Sequence, residues 1–112
     1  MDSRTVSVEE LSALLAGDPT PLVIDLRKEP DYAEDPRLLP GAVKHGLEGI
    51  ETWARTLPQG RAVVVYCAEG KWVGAAAADR LRAQGFAARQ VEGGFAAWRA
   101  AGLPLEEPGR QS

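Results

Sequence analysis

The chain has 112 residues, 45% of them hydrophobic and 26% charged, with one Cys, one His and a formal charge of -3. That length fits one domain able to bury roughly two-thirds of its unfolded surface, while a lone Cys excludes an internal disulfide and, with a lone His, falls short of a zinc ligand set. Sixteen acidic against thirteen basic residues leave no positive field for a nucleic acid, and no apolar run nears the ~20 residues that cross a bilayer, so a soluble protein of the reducing cytoplasm with no membrane partner is expected.

In chain order, Ser7-Val8-Glu9-Glu10 reads as a capping box, in which the Ser7 hydroxyl and the Glu10 carboxylate each bond the other's backbone N–H. Val8, Leu11 and Leu15 recur on one helical face, and Gly17-Asp18-Pro19-Thr20-Pro21 ends the element. Leu22-Val23-Ile24-Asp25-Leu26 is an apolar run between breakers, the pattern of a strand buried on both faces. Residues 27–40 hold three prolines and mixed charge, hence a loop with room for one helical turn.

Pro40-Gly41 marks a turn before a short strand over 42–45. Leu47, Ile50, Trp53, Ala54 and Leu57 then predict an amphipathic helix over 47–57, closed by Pro58 and Gly60. The most pronounced strand is Arg61-Ala62-Val63-Val64-Val65-Tyr66, rich in β-branched and aromatic residues. It runs into Cys67. A helix over 73–84 follows, with Val73, Ala77 and Leu81 in line and Gly85 at its C-terminal turn. Residues 86–91 read as a strand and 95–101 as a short helix. One domain over 1–105 and a loose polar tail over 106–112 complete the expectation.

Strands alternating with helices predict an α/β fold: an open, mostly parallel sheet of about five short strands with helices on both faces. Ligands of such sheets bind beyond the carboxyl ends of the strands, where Cys67 lies. Backbone N–H groups of the following helix terminus and of a tight Gly70 turn form a concave donor nest, which favours negative charge. A thiolate there is stabilised, and a thiolate is the nucleophile. The same position equally suits a small apolar residue capping a core strand.

The whole chain resembles the single-domain rhodanese family. The resemblance spans about residues 5 to 105 and rests on four pieces in order: Val-Ile-Asp25-Leu-Arg27, Leu-Pro40-Gly41-Ala42, Val-Val-Val-Tyr-Cys67-Ala-Glu-Gly70, and Val-Glu-Gly93-Gly94-Phe-Ala-Ala-Trp98-Arg-Ala-Ala-Gly102-Leu-Pro104. It implies a sulfurtransferase in which Cys67 attacks a sulfur donor such as thiosulfate, becomes a persulfide, and passes the sulfur to cyanide or a thiol. The binding loop would be Ala68, Glu69, Gly70, Lys71, Trp72 and Val73. No cofactor or metal is implied, and the partners would be the small-molecule donor and acceptor, with a sulfur-relay protein as a further candidate. Asp25 and Arg27 match family positions, Arg27 either reaching the pocket or tying down its loop as an ion pair. His45 raises a Cys–His dyad, against a hydrogen-bonded structural His. Gly93-Gly94 and Trp98 read most simply as turn and packing residues.

The loop departs from the family pattern Cys-Arg-x-Gly-x-Arg-Ser. Ala68 and Trp72 stand where two cations are usual, and Val73 replaces a small hydroxyl residue. Glu69 adds a negative charge beside the thiol, which repels a dianion. Lys71 is the loop's one cation. Weak thiosulfate:cyanide activity is therefore expected, with a persulfidic or apolar low-molecular-weight thiol handled better. A phosphatase or arsenate reductase of related fold needs a loop ending in an Arg that grips its anion bidentately, and that position is Val73. A catalytically silent module for protein recognition would have lost the cysteine, which is retained.

Overall fold

A computed structural model describes residues 4–70 and 72–108. Five strands, β1 (Thr5–Val6), β2 (Leu22–Asp25), β3 (Val43–Lys44), β4 (Val63–Tyr66) and β5 (Ala88–Val91), form one sheet in the order β1-β5-β4-β2-β3. Every pairing is parallel, so the expected mostly parallel sheet is wholly so. The helices are α1 (Val8–Leu15), α2 (Glu29–Glu34), α3 (Ile50–Trp53), α4 (Trp72–Ala83) and α5 (Gly94–Ala100).

Alternation along the central strands sorts their side chains to two faces. Val23, Val64 and Tyr66 join Leu11 of α1 and Phe95 and Trp98 of α5 in one cluster. Ile24, Val63 and Val65 join Ile50 of α3 and Ala77, Ala78 and Leu81 of α4 in the other. β4 is buried at all four positions, as its β-branched run predicts. Among the described residues no helix is long and apolar enough to cross a membrane.

Several elements differ from expectation. Ser7 caps α1 by accepting from the Glu10 amide at 3.0 Å, but the Glu10 carboxylate turns to Arg89 at 3.2 Å. The helix expected over 47–57 is a single α-helical turn, starting after Gly49 at φ +75° and tightening into a 3-10 turn over Ala54–Thr56. The loop over 27–40 contains α2, none of whose residues is buried. β1 was not anticipated; it adds to the sheet edge by pairing Thr5 with Gln90 and Val6 with Val91. Glu106, expected to begin a loose tail, is instead held: its backbone exchanges two 2.8 Å bonds with Leu38, and its carboxylate accepts from the Gly41 amide at 3.0 Å. Residues 109–112 of that tail lie outside the described residues.

Candidate active site

β4 ends at Tyr66, so Cys67 emerges at the carboxyl edge of the sheet, 6% exposed. Its loop rests on the start of α5. The amide of Phe95 donates to the Cys67 carbonyl and that of Ala96 to the Ala68 carbonyl, both at 2.9 Å. A trans peptide sets each N–H opposite the carbonyl it is joined to. The amides of Ala68 and Glu69 are therefore turned away from α5.

This arrangement requires backbone to pack on backbone. Gly70 has φ +71°, and a Cβ there would stand 2.6 Å from the Gly93 nitrogen. Gly94 has φ +60°, and a Cβ there would meet the Cys67 carbonyl oxygen, with the Gly70 nitrogen at 2.6 Å. The Gly93-Gly94 pair, a plain turn in the sequence, is thus the floor of the cysteine loop. Gly70 shapes the loop from behind rather than lining its opening.

The opening is a cleft of about 260 Å³ lined by Cys67, Ala68, Glu69, Trp72, Val73, Leu26, Lys28 and Asp31. Trp72 and Val73 are the first two residues of α4, so the positive pole of that helix borders the cleft. Lys28 and Asp31, which sequence reasoning missed, come from α2 and its N-terminal neighbour; nothing local marks them, because only the fold brings them to the thiol. The ammonium of Lys28 lies 5.7 Å from the centre of the Trp72 ring, which is 65% exposed. Lys71 lies outside the described residues.

Asp25 and Arg27 do not line this cleft. They form a buried pair below it, with Arg27 Nη2 2.8 Å and Nε 3.0 Å from Asp25 Oδ2. Tyr66 donates its hydroxyl to the same oxygen at 2.9 Å and accepts from the Leu39 amide at 3.2 Å. Burial, and then the Asp25 carboxylate, hold the Tyr66 phenol far above its usual titration range. Arg27 also donates to the carbonyls of Asp35 at 2.6 Å and Arg37 at 2.7 Å, and its guanidinium lies 3.9 Å from the Phe95 ring centre. Arg27 thus ties down the 27–40 loop, and it also lines a larger neighbouring cleft.

His45 lies in a second, larger cleft of about 750 Å³, lined also by Arg27, Lys28, Lys44, Glu29, Glu48 and Trp72. Its ring stacks on Trp53 at 4.5 Å with planes 9° apart, and its amide donates to the Asp25 carbonyl at 3.0 Å. Burial, and then the charge of Lys44, lower its affinity for a proton. His45 and Cys67 thus line different clefts. Among the described residues, no three His, Cys, Asp or Glu side chains converge as a metal site.

A family model for the rhodanese-like domain matches residues 7–101. The chain belongs to the rhodanese-like family. Solved structures agree on the fold. A rhodanese-related protein from Thermoplasma volcanium superposes with TM-score 0.77 at 22% identity, over 91% of this chain and 96% of that one. A rhodanese-like domain protein from Staphylococcus aureus gives TM-score 0.76 at 24% identity, over 93% and 99%. A Rhodopseudomonas palustris protein of unknown function, described as a possible tyrosine phosphatase, gives TM-score 0.77 at 27% identity, over 92% and 84%. No curated protein matches the chain. In this rhodanese-like chain, Cys67, Gly70 and Gly93-Gly94 stand at the positions on which the sequence resemblance rests.

Proposed function

We propose that this chain is a sulfurtransferase that carries sulfane sulfur as a persulfide on Cys67. The observation that carries the reading is the seat of that thiol, at the carboxyl end of β4, on a loop whose carbonyls are taken up by α5 and beside the first turn of α4. The Ala68 and Glu69 amides, turned from α5, together with the α4 terminus favour an anionic sulfur, as oxyanion donors do for oxygen.

The Cys67 thiolate attacks the outer sulfur of the donor. With thiosulfate, a new S–S bond forms to Cys67, the donor's S–S bond breaks, and sulfite leaves with the electron pair. An acceptor thiol or cyanide then attacks the outer sulfur of the persulfide and restores the thiolate. The products are an organic persulfide or thiocyanate. Phosphate chemistry is not favoured, because no arginine is among the described residues that line the cleft with Cys67. Arg27 is committed to Asp25, and Arg99 pairs with Asp35 at 3.1 Å.

Intact mass spectrometry of reduced protein incubated with thiosulfate or a polysulfide is expected to show one added sulfur, which cyanide removes as thiocyanate. The Cys67→Ser protein gains none. No adduct with any donor would overturn the reading in favour of a recognition module.

A further inference from the structure

Arg27 and Lys28 are adjacent cations whose side chains part. Arg27 turns inward to Asp25, and because the backbone at Lys28 is extended, with φ -72° and ψ 160°, the next side chain emerges on the other side and is exposed. The root of that lysine is held twice: Lys44 donates to the Arg27 carbonyl, and the Tyr32 amide donates to the Lys28 carbonyl at 2.9 Å. From this fixed point the ammonium reaches to 5.7 Å from the centre of the Trp72 ring, at the start of α4. An indole face attracts an ammonium without neutralising its charge.

The charged residues among those described as lining the thiol cleft are Lys28, Asp31 and Glu69. The cleft as a whole therefore has no positive excess, and Lys28 is its one described cation. The other cations around it have partners elsewhere: Arg27 in the buried pair with Asp25, Lys44 on the Arg27 carbonyl and over the Tyr32 ring, and Arg99 on Asp35. In the proposed first step negative charge gathers at this place, because a dianionic donor must approach a thiolate and sulfite must leave with the electron pair. Such a charge has one described counter-charge within the cleft, the ammonium of Lys28.

We propose that Lys28 is the donor-binding residue of the thiol cleft, its ammonium holding the anionic end of the sulfur donor, the sulfite portion of thiosulfate, while Cys67 attacks the outer sulfur. The inference rests on the sulfurtransferase reading, and its test reads the charge at the thiol separately from sulfur transfer.

The test uses two methanethiosulfonate probes, the uncharged methyl compound and one ending in sulfonate. Each reacts with the Cys67 thiolate to form a mixed disulfide and release methanesulfinate, so the anion-to-neutral rate ratio reports charge at the thiol without any sulfane transfer. Lys28→Gln is expected to lower that ratio about threefold, the effect of one unit charge several ångströms away in water, and the difference is expected to shrink with added salt. Lys28→Arg keeps the ratio near its starting value. Thiosulfate carries twice the charge, so the rate constant for loading Cys67 from it, followed by intact mass, is expected to fall about tenfold in Lys28→Gln. The Lys28 side chain is exposed and makes no capping bond to α2, so these variants keep the fold, which circular dichroism checks. Lys71→Gln serves as the comparison, since Lys71 is the nearest cation to Cys67 in the sequence. A ratio unmoved by Lys28→Gln, or lowered as much or more by Lys71→Gln, overturns the proposal. A ratio lowered by Lys28→Gln beside no sulfur loading from any donor defeats the sulfurtransferase reading alone, and loading beside an unmoved ratio defeats this inference alone.

Discussion

At the scale of single residues, the cysteine loop is seated on glycines that do not line its cleft. Gly94 and Gly102 both have positive φ, +60° and +73°, but only Gly94 abuts the cysteine loop, while a Cβ at Gly102 meets nothing. The pair separates strain from displacement. Gly102→Ala is expected to cost about 1–3 kcal/mol of stability and to leave sulfur loading of Cys67 unchanged. Gly94→Ala suffers the same strain and also pushes Ala68 and Gly70 away from α5, so its loading rate falls on the order of tenfold to a hundredfold. Urea unfolding and rates of intact-mass change measure the two effects, and equal loading rates would deny the glycine pair its role as the loop's floor. Cys67 itself was legible because a β-branched strand ends on it and a glycine turn follows. Gly94 was legible as a turn, but its use was not, because the atoms it makes room for lie far off in the chain.

At the scale of elements, β2, β4, the α2 segment and α5 are tied beneath the site by one buried pair. Asp25 is fully buried, and Arg27 is 2% exposed. Removing the carboxylate charge strands a buried guanidinium and leaves the Tyr66 hydroxyl without its charged acceptor. Asp25→Asn is therefore expected to destabilise the fold by about 3–5 kcal/mol in urea unfolding. Loss of under about 1 kcal/mol would mean that the network adds little beyond packing. The sequence resolved elements of this kind unevenly. The Val63–Val65 run and the Val73, Ala77, Leu81 line announced β4 and α4 through strong local periodicity. β1 escaped because two residues carry no period and exist as a strand only through pairing with β5. The helix over 47–57 shortened because Gly49 takes a left-handed conformation where the apolar spacing continues unbroken. Asp31 reaches the cleft from α2 and Lys28 from the residue before it, in a segment whose composition signals a loop.

At the scale of the whole molecule, single copies of two residue types simplify the chemistry. With one Cys among these 112 residues, the proposed sulfurtransferase reading assigns the second step to an acceptor other than a cysteine of this domain. One His means that a side chain titrating between the carboxylates and neutrality has one address, His45. Burial, and then the Lys44 charge, lower its proton affinity in the fold, so the folded state favours the neutral ring. Between the folded value and the ordinary value of about 6.5, the unfolded chain binds more protons, and stability rises with pH there. His45 thus contributes stability that is complete above about pH 6.5 and is lost as the pH falls toward the folded value. Asp35, held well below the usual carboxylate range chiefly by Arg37, gives up its contribution only at lower pH. Urea unfolding at steps between about pH 7 and 5.5 is expected to show this decline, and His45→Phe, which keeps an aromatic ring against Trp53, is expected to remove it. A decline that persists undiminished in His45→Phe would assign the titration elsewhere, and stability that rises as the pH falls would reverse the sign argued from burial.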